Sequence, residues 1–117
     1  MNEAVIVEAV RTPFGRRGGW WADTRPDTLL AQTVAGLLAR AGLPGAKVED
    51  VIAGCVSQAG EQGANIGRLA AMLASLPESV PGVALNRMCG SSQQAVHFGA
   101  QAIAAVSYTH LTLPTKA

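Results

Sequence analysis

Along the chain, short apolar runs alternate with segments whose apolar residues recur every three to four positions, and the two periods predict strands and helices in turn. Ala4 to Val10 is a β-branched run interrupted by Glu8, which predicts a mostly buried strand that ends at Arg11-Thr12-Pro13, where proline stops pairing. The pattern then turns helical. Thr24 with Asp27 forms a capping box, Pro26 falls in the first turn, and Leu30, Val34, Leu37, Leu38 and Ala41 make one apolar face. Gly42 followed by Pro44 closes this helix. Glu49 to Val56 predicts a second strand, leading into the turn-rich residues Ser57 to Gly63. Asn65 caps a short helix through Arg68, Leu69 and Met72 to the neighbourhood of Ala74, and Pro77 and Pro81 bracket the next connection. Gly82 to Asn86 predicts a third strand, and a last helix runs from Met88 towards Ala105. Strand and helix alternating in this way predict an α/β layered fold on a mixed or parallel sheet.

Composition narrows the picture. The 117 residues are 49% hydrophobic but 4% aromatic, and 21 of them are alanine, so the apolar surfaces are flat and suit close backbone packing. A net charge of +1 gives no electrostatic case for nucleic acid. Its placing is more telling: the 28 residues between Arg87 and Lys116 contain no Asp, Glu, Lys or Arg. A chain this short buries roughly two thirds of its unfolded surface, so a membrane, a partner or a further part of the protein is expected to cover that run. The membrane is excluded by Ser91, Ser92, Gln93, Gln94, His97 and Gln101, which leave no window of about 18 apolar residues. Met1-Asn2-Glu3 does not open a signal peptide, so a cytosolic (cytoplasmic) location is expected. Cys55 and Cys89 are then reduced thiols, without the number for a disulfide framework or the spacing for a metal site.

Chemistry concentrates at Cys89, which stands where an apolar strand turns into the last helix. Backbone N–H groups and the helix dipole at such a position favour the reactive thiolate. Gly90, Ser91 and Ser92 are small enough to admit a substrate and to leave backbone donors for an oxyanion. The competing reading makes Cys89 a small buried hydrophobe. His97 is not its base, because eight helical residues span about 12 Å; it joins Gln94 and Gln101 on a polar stripe, as a buried or interface hydrogen-bonding residue. Cys55, inside an apolar strand, is expected in the core. The loop Phe14 to Trp21 mixes glycine, arginine and tryptophan, yet it is neither GxGxxG nor a P-loop, and it reads as a structural or interface loop.

Leu85-Asn86-Arg87-Met88-Cys89-Gly90-Ser91-Ser92, followed by Ala95-Val96-His97 and Gln101-Ala102-Ile103, resembles the nucleophile segment of the thiolases, the acyl-CoA acetyltransferases and 3-ketoacyl-CoA thiolases. Val5 to Gly15 resembles the family's opening strand and loop, and Gly54 to Gly60 with Asn65-Ile66-Gly67-Arg68 resembles its second strand and following helix. The resemblance runs from residue 4 to the region of Ala105. It implies the N-terminal part of a five-layered α-β-α-β-α fold in which the nucleophile helix lies between two sheets. It implies that Cys89 attacks an acyl-CoA thioester and passes the acyl group to coenzyme A or to a second acyl-CoA, by thiolysis of a 3-ketoacyl-CoA or by Claisen condensation. Acyl-CoA is then the substrate in fatty acid metabolism, with no tightly bound cofactor and no metal, and the full-length protein is expected as a homodimer or homotetramer.

The family's activating histidine and second cysteine belong to its C-terminal half, so this chain alone is expected to be inactive. Gln93 and Gln94 stand where many members carry an apolar residue and then a lysine or similar, a departure that bears on acyl chain preference. The Trp20-Trp21 pair is not a general family feature. A ketoacyl-synthase-type condensing enzyme and a non-catalytic dimerising α/β module are the alternatives; the Asn86 to Ser92 context argues against the first and the charge-free run against the second. Residues 1–105 are expected to be a partial thiolase N-terminal domain. Val106 to Thr115 breaks the alanine-rich pattern and resembles a translated sequencing adapter, so 106–117, with Tyr108 and His110, is expected to be non-native.

Overall fold

The computed structural model describes residues 2–105 and the backbone of Leu111–Thr112. Its first helix, α1, spans Pro26–Ala41, and strand β1 spans Asp50–Gly54. Helix α2 covers Ile66–Leu73, strand β2 Gly82–Leu85, helix α3 Ser91–Ala104 and the short strand β3 Leu111–Thr112. The strands lie in the order β2, β1, β3 and pair in parallel, with Val51 opposite Gly82 and Gly54 opposite Leu85. The parallel α/β arrangement is the one the alternating pattern predicts.

Every residue of β1 is buried except Gly54, which is partly so, because helices cover both faces of the strand. Val51 packs with Val34, Val48, Ala71, Leu76 and Val80 beneath α1 and α2, while Ala53 and Cys55 pack with Ile66, Leu30 and Ala84. The even-numbered residues face α3. Three glycines let the layers meet at backbone distance. A Cβ on Gly54 would lie 2.4 Å from Ser92 N, one on Gly67 2.4 Å from Val83 O, and one on Gly82 2.5 Å from Arg68 N. Asn65 secures the α2 contact: its side chain accepts the Arg68 N–H at 3.3 Å and donates to Gly82 O at 2.9 Å. Arg68 reaches on to Val80 O at 2.6 Å.

The C-terminus of α1 is as the sequence predicts, with Gly42 left-handed at φ 63° and Leu43 N donating to Leu38 O at 3.0 Å. Its N-terminus is not. Arg25, not Thr24, is the N-cap, and no side chain caps the helix. The Asp27 carboxylate is taken by the Arg25 guanidinium through paired bonds of 3.1 Å, which removes it from the expected capping box. The predicted apolar face packs on the core at Leu30, Val34 and Leu38, with Ala31 also buried, whereas Ala41 is exposed.

The predicted strand at Ala4 to Val10 does not form. Those residues carry no ladder, and Val5, Ile6 and Val7 are 68%, 82% and 83% exposed. Among the described residues β1 pairs with β2 and, at Asp50 and Val51, with Leu111–Thr112, and no strand pairs with Ala4 to Val10. Propensity alone does not hold a strand without a partner. Apart from β3, the segment expected to be non-native, including Tyr108 and His110, lies outside the described residues.

Two predictions follow from these contacts. Gly54→Ala forces backbone apart and is expected to cost about 1–3 kcal/mol, whereas Gly36→Ala, with open space around its Cβ position, is expected to stabilise by up to about 1 kcal/mol; equal urea midpoints for the two variants would contradict the close contact. Hydrogen bonding from Arg25 holds the Asp27 carboxyl below its ordinary range. Its stabilising contribution is therefore full above about pH 4 and is lost as pH falls through the depressed value. The stability gap between the protein and Asp27→Asn should accordingly shrink in acid denaturation series below that pH, and a pH-independent gap would refute it.

Candidate active site

β2 ends at Leu85, and the chain needs five residues to reverse into α3. Asn86 Oδ1 accepts the Met88 N–H at 2.9 Å, and Met88 adopts φ 48°, left-handed and uncommon for a long side chain. Gly90 then forms the N-cap, and its N–H donates to Arg87 O at 3.0 Å. Cys89 sits between these two residues and is exposed. The turn brings the thiol to the surface at the start of α3, whose first turn rests on Gly54 of the central strand.

Ser91 departs from the sequence reading. It does not line an approach for substrate but is buried at 4% exposure, with its hydroxyl turned into the turn itself. Ser92 is partly buried, and Gly90 leaves no obstruction beside Cys89 closer than Arg87 O, 3.4 Å from a Cβ placed there. The Arg87 guanidinium bonds the Gln94 side chain, so the charged residue before the turn is tied to the second turn of the helix after it. Gln93 remains exposed.

His97 is exposed, which corrects the buried half of the expectation of a buried or interface residue. Position 97 falls on the face of α3 turned from β1, whereas Ala95 and Gly99 are turned inward. It lies about two turns along the helix from Cys89 and does not meet it. Cys55 is in the core at 8% exposure, as expected, with its sulfur 3.8 Å from Ser57 O. The described residues contain no group of three His, Cys, Asp or Glu side chains able to hold a metal, and no helix among them is long and apolar enough to cross a membrane.

The Phe14 to Trp21 loop has a structural role that the sequence left open. Trp21 Nε1 donates to Pro13 O at 3.1 Å, and its ring lies where a Cβ on Gly15 would be, 2.6 Å from Cδ1. Trp20 points to solvent. Arg11 covers the Phe14 ring at 4.0 Å. Between this loop and α1 lies a cavity of about 130 Å³ lined by residues including Phe14, Trp21, Leu29 and Leu30, none of them in the Cys89 turn.

Residues 4–111 match the family described as the thiolase N-terminal domain. A steroid 3-ketoacyl-CoA thiolase of Mycobacterium tuberculosis is 53% identical over 103 residues, 88% of this chain and 25% of that protein. A 3-ketoacyl-CoA thiolase of Yersinia pestis is 49% identical over 105 residues, covering 88% and 27%. A beta-ketoadipyl-CoA thiolase of Acinetobacter baylyi is 49% identical over 106 residues, covering 90% and 26%. The chain thus spans about a quarter of the length of these curated relatives. The parallel α/β core, the cysteine turn entering α3 and the match over residues 4–111 agree, and the chain belongs to the thiolase family.

Proposed function

We propose that the chain contributes the nucleophile of an acyl-CoA C-acyltransferase and that the nucleophile is Cys89. The observation that carries this reading is the exposed thiol on the strained turn into α3, in a chain of the thiolase family. With coenzyme A as the acceptor, the sulfur attacks the C3 carbonyl of a 3-ketoacyl-CoA, the C2–C3 bond breaks, and C2 takes up a proton and leaves as acetyl-CoA. The thiol of coenzyme A then takes the acyl group from Cys89, whose thiol is restored. With a second acyl-CoA as the acceptor, the sulfur attacks the thioester carbonyl of the first, coenzyme A leaves as its thiol, and the deprotonated C2 of the second takes the acyl group from Cys89. The first acceptor corresponds to thiolysis of a 3-ketoacyl-CoA and the second to Claisen condensation. The Gly90 and Ser91 N–H groups are already given to Arg87 O and Met88 O within the turn, so oxyanion stabilisation falls to other donors, including residues contributed from elsewhere in the enzyme.

Activation of the thiol needs a base, and His97 does not supply it from its exposed position along α3. The base in this reading comes from the remainder of the enzyme, so the 117-residue chain is expected to be inactive by itself. Cys55 supplies no alternative nucleophile, since it is buried against Ile66 and Ala53.

The experiment is made in a full-length thiolase whose matching N-terminal segment is replaced by residues 4–105 of this chain. Cys89→Ala is expected to reduce thiolysis of a 3-ketoacyl-CoA by more than about a thousandfold, and Cys55→Ala to leave it within a few-fold. Retained thiolysis in the Cys89→Ala protein, with the fold intact by thermal melt, would overturn the assignment.

A further inference from the structure

One side chain closes the turn that presents Cys89. Ser91 Oγ accepts the Arg87 backbone N–H at 2.8 Å and donates to the Met88 carbonyl at 2.6 Å. The Ser91 backbone N–H also donates to Met88 O, at 3.1 Å. Two bonds from Ser91 thus end on Met88, the residue with φ 48°. A strained residue persists only where its surroundings over-determine it. Here the surroundings are Asn86 Oδ1 on the Met88 N–H and Ser91 on its carbonyl. Cys89 is the next residue, so the peptide plane fixed by these bonds sets the direction in which its side chain leaves the backbone.

We propose that Ser91 is a positioning residue for Cys89: its buried hydroxyl bridges Arg87 and Met88 and thereby fixes the place of the thiol at the N-terminus of α3. This rests on the reading of Cys89 as the nucleophile. Ser91 does not touch the substrate, because it is buried beneath the turn while Cys89 faces solvent. Its hydroxyl is also not needed to make a helix, since alanine is the better helix former at such a position. What alanine cannot do is satisfy the Arg87 N–H or hold the Met88 carbonyl from the side-chain direction. Threonine can, because it keeps the hydroxyl on the same carbon.

The test combines iodoacetamide alkylation of the chain, mapped separately to Cys89 and Cys55, with amide hydrogen exchange at Arg87. Buried Cys55 reports the integrity of the fold. Ser91→Ala is expected to slow Cys89 alkylation and to speed Arg87 exchange, each by about fivefold or more, with Cys55 still protected. Ser91→Thr is expected to return both readouts to within about twofold of the original protein, a rescue that a merely space-filling serine would not give. A folded Ser91→Ala protein in which both readouts stay within about twofold of the original overturns the proposal. If Ser91→Ala unfolds the chain, so that Cys55 reacts as fast as Cys89, the threonine variant decides: recovery of both readouts supports the proposal, and loss of either in a folded protein overturns it. Failure of the nucleophile assignment is separate, because it appears as retained activity in Cys89→Ala while the Arg87 exchange result stands.

Discussion

The close seat of α3 on β1 is the constraint on which the rest of the structure depends. At Gly54 the strand backbone comes so near Ser91 and Ser92 that no side-chain carbon fits between them. This contact fixes the height of the helix start above the sheet. The same device recurs at Gly67 and Gly82, where α2 meets β2. An alanine- and glycine-rich chain with few aromatic residues gains its packing from such backbone approaches rather than from large interlocking rings.

Given that height, the chain from Leu85 to Ser91 has one task, to leave the sheet and enter the helix within a few residues. It does so by placing Met88 in a left-handed conformation, and the hydrogen bonds from Asn86 and Ser91 hold it there. The outcome is an exposed sulfur on a turn whose two neighbours, Met88 and Gly90, are both fixed by backbone bonds to Arg87 and Ser91. The strained residue and the exposed thiol are adjacent in the reversal from β2 into α3. Arg87 and Gln94 brace the same turn from the solvent side.

Much of this was legible in the sequence, where local signals coincide with tertiary ones. Gly42 closes α1, Asn65 caps α2, Cys55 lies in the core and the strand at Asp50–Gly54 falls within the predicted segment Glu49 to Val56. Two failures share a cause, namely that a local signal does not say which partner a residue takes. Ala4 to Val10 has strand propensity but no ladder partner among the described residues, and Asp27 has capping chemistry but is claimed by Arg25. The exposure of His97 was not legible because a polar stripe on a helix does not reveal which way the helix faces. The place of Cys89 just before a helix was legible, whereas the hydrogen bonds of the Ser91 hydroxyl were not. A serine at the first helical position is common, and only the left-handed Met88 beside it shows what the hydroxyl holds.

The central claim is that this seat and turn present Cys89 as the acceptor of an acyl group. It is tested most directly by incubating the full-length protein with an acyl-CoA, quenching in acid and mapping the acylated peptide by mass spectrometry. The account predicts a hydroxylamine-labile acyl thioester on Cys89 and a free thiol at Cys55. An acyl group carried on another residue while Cys89 remains a free thiol would contradict it.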